Sequence, residues 1–309
     1  MRVLVTGGTG FIGRALVRAL VARGDRVTVF TRRAQPAAGS GPEGVVWETW
    51  DPGREGEWQR VVSGQDGVVH LAGEMAVGRR FTARVREAIL ASRVESTTRL
   101  VTAIERATAR PRVFVCASGV GYYGTHTGEA PLDESAPPGD DFLAQVCVAW
   151  EAAAQGAEQL GVRVVRTRFG LVLGKDGGAL TRLVPIFRAF AGGPLGSGRQ
   201  PQPWVHLDDV VGALMKALDD VALSGAVNVT APNPVSNAEL SRALGAVLHR
   251  PSALRAPAFA LRALFGEGAE PLLTGQHALP RALERHGYVF RFPELEPALR
   301  DLLAADREP

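Results

Sequence analysis

Short apolar runs alternate with longer amphipathic stretches over the first two-thirds of the chain. The apolar runs predict β-strands at residues 2–6, 26–31, 45–49, 67–71, 112–117, 163–168 and 226–229. Apolar positions at helical spacing predict α-helices at 11–23, 82–109, 141–160 and 207–219. Strands that alternate with helices are typical of a parallel sheet covered on both faces, so the pattern predicts an α/β, doubly wound fold.

The pattern changes after residue 230, where proline-punctuated helices are predicted at 236–248, 257–265 and 295–304. Earlier, a stretch rich in Gly and Pro over 175–205 interrupts the alternation. We therefore expect a sheet domain of residues 1–174 plus 206–230, and a small, mostly helical substrate-binding cap of residues 175–205 plus 231–309. The acidic stretch 129–141 contains three prolines and is predicted to be a surface loop.

Composition is that of a globular protein, with 46% hydrophobic and 22% charged residues in a chain of 309. The net charge of +3 is spread along the sequence, which argues against nucleic-acid binding. No apolar run is long enough to span a membrane and the N-terminus does not resemble a signal peptide, so we expect a cytoplasmic protein. Cys116 and Cys147 are the two cysteines, and their spacing indicates neither a metal site nor a disulfide framework.

A glycine-rich turn follows the first predicted strand and leads directly into a helix. Glycines let the backbone approach a pyrophosphate closely, and the helix start offers free N–H groups and a positive dipole end. This order of strand, turn and helix predicts a dinucleotide site in a Rossmann-like domain, although a turn without a ligand is the alternative. The expected contacts are Gly7, Thr9, Gly10, Phe11, Ile12 and Gly13.

The second strand ends in Arg32 and Arg33, about 20 residues past the glycines. An NAD-specific fold carries Asp or Glu there for the ribose 2′-hydroxyl, whereas a guanidinium suits a 2′-phosphate. The sequence therefore predicts that NADP(H) is preferred over NAD(H). The alternative is that one of the two arginines is an ordinary solvated charge.

Five segments resemble those of the extended short-chain dehydrogenase/reductases, the sugar-nucleotide epimerase and dehydratase superfamily. They are Gly7–Gly13, His70–Gly73, Ser118–Gly124, Arg168–Gly174 and Trp204–Val210. Finer matches resemble an atypical epimerase-like subgroup with a short C-terminal domain of unassigned role. The resemblance implies further cofactor contacts from Leu71, Ala72, Gly73 and Arg168. It also implies a homodimer formed by helices 82–109 and 141–160, although packing within one chain explains their apolar positions equally well.

The proton relay of that superfamily, a Tyr followed four residues later by a Lys, is missing. Tyr122, Tyr123 and Tyr288 are followed four residues later by His126, Thr127 and Phe292. Counting back from Glu151 places Leu143 and Cys147 where the resemblance implies the Tyr and the Lys. The chemistry must therefore use other groups.

Four side chains that follow strands are candidates for catalysis: Ser118, Tyr122, Tyr123 and Glu74. Ser118 suits orientation of a substrate carbonyl, a tyrosine suits proton donation, and Glu74 suits a general base or a substrate anchor. The alternatives are a strand-end cap for Ser118, packing for the tyrosines and an exposed loop acid for Glu74.

Three residues are candidates for substrate binding: Arg93, Arg199 and Gln200. A guanidinium on the helix after the fourth strand could bind an anionic group, although a solvated helix arginine is the alternative. Arg199 and Gln200 lie in the Gly-rich stretch and could contact the same ligand.

Two readings of function follow. One is an NADP(H)-binding oxidoreductase or epimerase-like enzyme that acts on an unidentified small molecule and needs no metal. The other is an NADP(H)-binding sensor or interaction protein with little or no turnover. Enzymes bring several polar groups together in a cleft, so convergence of Glu74, Arg93, Ser118, Tyr122 and Arg199 distinguishes the two.

Overall fold

A seven-stranded parallel sheet organises the protein in the computed structural model, which describes residues 1–32, 44–125 and 130–303. In chain order the strands are β1 Arg2–Thr6, β2 Arg26–Thr31, β3 Val45–Thr49, β4 Gly67–His70, β5 Val113–Gly119, β6 Arg163–Phe169, β7 Leu171–Gly174, β8 Gly177–Gly178, β9 Pro201–Gln202, β10 Trp204–His206, β11 Gly225–Val229 and β12 Val235–Ser236. The helices are α1 Phe11–Ala22, α2 Ala83–Arg106, α3 Phe142–Gln155, α4 Leu180–Arg188, α5 Leu207–Asp219, α6 Asn237–Leu248, α7 Ala258–Phe265, α8 Glu270–Leu273, α9 Arg281–Arg285 and α10 Leu295–Leu303.

The strand order of the large sheet is β11-β6-β5-β4-β1-β2-β3. The chain builds β1 to β3 in one direction and then returns to place β4 on the other side of β1. This reversal opens a crevice at the carboxyl ends of β1 and β4, the place where such sheets bind ligands. The predicted doubly wound fold is confirmed, and the predicted ends of the large-sheet strands agree with the observed ones to within two residues.

Two layers of helices cover the sheet, one on each face, so its strands are buried on both sides. Helices α1 and α5 enclose one apolar cluster, which includes Val5, Leu16 and Leu214. Helices α2 and α3 enclose a second apolar cluster on the opposite face, which includes the fully buried side chains of Phe114 and Leu100. Residues 2–6 and 67–70 therefore read as nearly continuous apolar runs, as parallel strands do.

A third apolar cluster joins the Gly- and Pro-rich stretch to the C-terminal helices. Leu180 and Phe187 of α4 pack with Leu240 of α6 and Leu299 of α10. A two-stranded antiparallel ladder of β9 and β12 ties the same two segments together. The helical C-terminal region is thus confirmed, while the division of the chain into two domains stays a prediction.

The stretch 129–141 is more than the predicted surface loop, and residues 126–129 lie outside the described residues. Leu132 forms a bridge to Ala278, and the Glu134 carboxylate accepts hydrogen bonds from the backbone N–H groups of Asn228 and Ala282. The prediction is wrong for these two residues because a local run of acids and prolines gives no sign of partners so distant in sequence.

Candidate functional site

The turn between β1 and α1 has the backbone that a phosphate cradle needs. Gly7 has φ +70°, and a Cβ there would lie 2.8 Å from the Leu71 carbonyl carbon. A Cβ at Gly13 would overlap the Gly7 carbonyl oxygen. Gly10 precedes α1 without a side-chain cap, and the first turn of α1 contains no acid. The positive end of the helix is therefore not neutralised locally, which fits the phosphates of a dinucleotide.

Phe11 connects this turn to the hairpin β7–β8. A Cβ on Gly174, Gly177 or Gly178 would clash with the Phe11 ring. Thr9 and Gly10 are exposed beside it, and Ile12 is half-buried. The three hairpin glycines thus leave room for an aromatic side chain at the helix start.

The remaining predicted cofactor residues of this edge follow β2 and β4. Arg32 is exposed directly after β2, whereas Arg33 lies outside the described residues. Leu71 and Ala72 follow β4, and the Ala72 N–H donates to Thr6 Oγ1 at 3.3 Å. Gly73 is exposed next to them. The described members of this set therefore sit on the strand ends that surround the glycine turn.

A buried polar network lies under the carboxyl ends of β5, β6 and β11. Glu151 of α3 is 3% exposed and accepts two hydrogen bonds from Arg168, at 2.8 Å from Nε and 2.9 Å from Nη2. Ser118 Oγ donates to the same carboxylate at 2.8 Å, and Arg166 lies 3.6 Å away. Burial alone would lower the pKa of Arg168, but the hydrogen bonds and the charge of Glu151 raise it above its usual value.

This network also engages the tyrosines. The Tyr123 hydroxyl is buried, donates to Asn228 Oδ1 at 2.7 Å and accepts from Arg168 Nη1 at 3.0 Å. Burial raises the pKa of Tyr123 to about 12. The Arg168 guanidinium lies 3.4 Å from the centre of the Tyr122 ring. These contacts fit the packing alternative for both tyrosines, and Arg168 is a buried partner of Glu151 rather than a group at the glycine turn.

A cavity of about 600 Å³ opens beside the ends of β5 and β6, and we call it the central cavity. Five side chains were expected to converge if the protein is an enzyme, and two of them, Arg93 and Ser118, line this cavity. Glu74, Tyr122 and Arg199 are not part of its wall. The sequence-predicted groups therefore meet only in part.

The other predicted site residues have structural contacts. Glu74 is exposed, and its backbone carbonyl accepts from Arg93 Nη2 at 2.8 Å. Arg199 is exposed, whereas Gln200 is 1% exposed. Gln200 Nε2 donates to the carbonyls of Leu195 and Leu272, both at 3.0 Å. Gln200 thus joins the Gly-rich stretch to α8.

The cavity wall contains polar residues that the sequence did not single out as functional. The uncharged ones are Thr125, Cys147, Gln202, Asn237, Thr274 and Gln276. Burial raises the pKa of Cys147 to about 11, so its thiol stays protonated at neutral pH. Cys147 lies one helical turn before Glu151, and that spacing is a signal in the sequence that could have placed it on the same face. The glutamines follow no strand of the large sheet, so no pattern indicates them.

Within residues 1–32, 44–125 and 130–303, no three His, Cys, Asp or Glu side chains cluster as a metal site would require. In the same ranges, no helix combines the length and the apolarity needed to cross a bilayer.

Similarity to known proteins agrees with this geometry. Residues 3–230 match the model of the NAD dependent epimerase/dehydratase family, and residues 256–302 match a domain of unknown function, DUF1731. The chain is 44% identical over 311 residues to the chloroplastic homologue of epimerase family protein SDR39U1 from Arabidopsis thaliana, covering 98% of this chain and 87% of that one.

Solved structures extend the likeness to three dimensions. Human SDR39U1, crystallised with NADPH, superposes with a TM-score of 0.86 at 36% identity over 100% of both chains. UDP-glucuronic acid 4-epimerase from Bacillus cereus, in complex with UDP-glucuronic acid and NAD, shares the fold alone, at 17% identity and a TM-score of 0.80 over 98% of each chain. With its glycine turn, its switch-point crevice and a family match over most of its length, the chain belongs to the NAD dependent epimerase/dehydratase family.

Proposed function

We propose that this protein is an NADP(H)-dependent oxidoreductase or epimerase-like enzyme that acts on a small molecule in the central cavity. The observation that carries the proposal is the cavity itself, which opens at the carboxyl ends of β5 and β6 with Ser118 in its wall. The glycine turn follows β1 and therefore lies at the same end of the sheet, where the carboxyl ends of the strands meet. A cofactor held on that turn and a substrate in the cavity would thus be neighbours.

The chain's own residues fit the cofactor. The backbone at Gly7, Gly10 and Gly13 would hold the pyrophosphate, and Arg32 would bind a 2′-phosphate. The NADPH in the structure of human SDR39U1 supports this choice of dinucleotide. When bound, the nicotinamide exchanges a hydride with a substrate carbon.

Ser118 supplies the proton chemistry in this proposal. Its hydroxyl hydrogen is donated to Glu151, so a lone pair of Oγ is what remains for a ligand in the cavity. Ser118 therefore accepts a hydrogen bond from a substrate hydroxyl. As that hydroxyl loses its proton, Oγ takes it and the proton of Ser118 moves to Glu151 Oε1. Arg168 keeps the carboxylate in place through its two hydrogen bonds.

The cofactor assignment is tested by titrating the protein with NADPH and with NADH while nicotinamide fluorescence is followed. We expect NADPH to bind at least tenfold more tightly, because a charge-assisted contact to the 2′-phosphate is worth about 1.5–3 kcal/mol. Arg32→Ala should abolish that difference. Arg26→Ala, at the exposed start of the same strand, is the matched control and should retain it. Equal affinities in the unmodified protein would overturn the assignment of Arg32.

The proton role is tested with Ser118→Ala once a screen of small alcohols and ketones with NADP⁺ and NADPH has found turnover. We expect kcat to fall about 10²-fold or more, the usual scale of a lost acid–base group. NADPH affinity should stay within twofold, because Ser118 is not part of the glycine turn. An unchanged kcat would remove Ser118 from the mechanism.

A second candidate, an NADP(H)-binding sensor or interaction protein with little turnover, is favoured by the incomplete convergence of Glu74, Tyr122 and Arg199 on the cavity and by the contacts of Tyr123. The Tyr123 hydroxyl is engaged with Asn228 and Arg168, and no tyrosine belongs to the described cavity wall. Tight NADPH binding without turnover in the same screen would favour this candidate.

The compartment and the assembly stay predictions. We keep a cytoplasmic location as a proposal, and note that the Arabidopsis relative is named chloroplastic. Helices α2 and α3 pack against each other within the chain, which is the alternative to the predicted homodimer. Sedimentation of the purified protein distinguishes the two.

A further inference from the structure

Five charged side chains line the central cavity, and three of them, Arg86, Glu267 and Glu270, have an ion-pair partner among the described residues, whereas Asp141 and Arg93 have none. Arg86 pairs with Glu267, and Glu270 pairs with Arg262 at 2.8 Å. Asp141 caps α3, where it accepts the Ala144 N–H at 3.0 Å. Arg93 has no carboxylate within ion-pair distance among the described residues.

Arg93 is held by neutral acceptors that leave part of its guanidinium free. Nη1 donates to the Ile89 carbonyl at 3.1 Å and to Ser92 Oγ at 3.4 Å, and Nη2 donates to the Glu74 carbonyl at 2.8 Å. A guanidinium has five N–H donors. Nε–H and one N–H of Nη2 therefore have no partner in the described part of the chain, and a carboxylate accepts hydrogen bonds from such guanidinium donors.

The surroundings of Arg93 fix its position and make its charge costly. The guanidinium lies 5.0 Å from the centre of the Trp150 ring, and a Cβ on Gly73 would lie 3.4 Å from its Cζ. Burial lowers the pKa of Arg93, and the charge of the neighbouring Glu74 only partly offsets this. A cation placed in this way is stabilised by an anion that enters from the cavity.

The rest of the wall is mostly apolar and aromatic. Phe81, Phe142 and Phe169 line the cavity together with Trp150. Asp141, whose charge would repel an anion, lies nine residues from Trp150 on α3, about 13 Å along the helix axis. The end of the cavity near Arg93 is therefore cationic, and its walls suit an apolar body.

We propose that the central cavity binds a small organic carboxylate, with the carboxylate on Arg93 and an apolar or aromatic body against Trp150 and the phenylalanines. This deepens the proposed function, on which it rests, by naming the class of substrate. It also gives the ligand an orientation, because Ser118 lies in the same wall and its free Oγ lone pair would accept a hydrogen bond from a hydroxyl of the anchored molecule.

The test is titration calorimetry with benzoate, phenylacetate and cinnamate, each compared with its neutral amide, in the full-length protein. We expect at least one acid to bind tenfold or more tightly than its amide. Arg93→Met should remove that preference, and Arg93→Lys should retain part of it. Arg99→Met on the same helix, outside the cavity wall, is the matched control and should leave it unchanged.

NADPH titration of the same variants separates this proposal from the proposed function. NADPH affinity should stay within twofold in Arg93→Met; a loss tenfold or greater would assign Arg93 to the cofactor and overturn the proposal. Equal binding of every acid and its amide, or no binding of any acid, would also overturn it. If the protein binds no NADPH but keeps an Arg93-dependent preference for carboxylates, the anion site stands and the enzyme proposal fails. Arg93→Lys carries the test if Arg93→Met does not fold.

Discussion

Removing the charge of Glu151 should destabilise the protein more than any single change at its surface. The carboxylate is 3% exposed and binds Arg168, which is also 3% exposed, through two hydrogen bonds of 2.8 and 2.9 Å. In Glu151→Gln the guanidinium keeps its contacts with the Tyr123 hydroxyl and the Glu134 carbonyl but loses its counter-charge. A buried cation would then be left largely uncompensated.

The expected loss is about 3–5 kcal/mol of unfolding free energy, the scale measured when one partner of a buried ion pair is removed. That is a large share of the about 5–15 kcal/mol that holds a typical domain together. Arg168→Met should cost a similar amount, since Glu151 would keep only Ser118 and the more distant Arg166. The double variant should cost clearly less than the two single variants added together, because it leaves neither charge unpaired.

Urea unfolding followed by tryptophan fluorescence provides the measurement, since Trp150 is adjacent to Glu151. Asp219→Asn, whose carboxylate is 50% exposed in a surface pair with Arg23, is the matched control and should change stability by less than about 1 kcal/mol. Additive single losses, or a loss below about 1 kcal/mol for Glu151→Gln, would refute the argument that Glu151 and Arg168 stabilise the fold as a buried ion pair.

Three further changes test other parts of the structure. Burial, with a smaller contribution from the charge of Arg93, lowers the pKa of His70 to about 3, so the unfolded chain binds a proton below about pH 6.5 that the native protein does not. Unfolding free energy should fall by up to about 1.4 kcal/mol per pH unit from pH 6.5 towards 3, and His70→Gln should flatten that slope in urea titrations. Gly13→Ala should weaken NADPH binding at least tenfold in a fluorescence titration, because its Cβ would overlap the Gly7 carbonyl; wild-type affinity would show that the turn can relax. Gln200→Ala should speed hydrogen exchange over residues 270–276, because the carbonyls of Leu195 and Leu272 lose their donor, while NADPH affinity stays within twofold. Unchanged exchange would show that Gln200 does not hold the Gly-rich stretch to α8.

The large sheet could be predicted because its signals are local. Residues 2–6 and 67–70 are apolar runs bounded by turns, and the glycine turn at 7–13 follows a strand and opens a helix. The strands at 177–178, 201–202 and 235–236 were missed because two residues cannot show an alternating pattern.

Local sequence signals predicted only part of the cavity wall, namely Ser118 at a strand end and Arg93 on the helix after the fourth strand. Ser118 and Arg93 reached the cavity, but the sequence could not show that the Tyr123 hydroxyl points into the protein towards Asn228, 105 residues away. The sequence likewise could not show the partners of Glu134 and Gln200, which lie 72 to 148 residues away, and the substrate role of Gln200 stays a prediction.

The way the central cavity is assembled has a consequence for synthesis of the chain. Its wall begins at Ala76 and is complete only at Gln276, whereas the last strand of the large sheet ends at Val229. At about 5–20 residues per second, a ribosome needs roughly 2–9 s to make the 47 residues between Val229 and Gln276. A nascent chain can therefore complete its sheet while Phe81, Phe142 and Trp150 still face an unfinished wall. Chains stalled or truncated between these two points would expose aromatic surface and become targets for chaperones or aggregation.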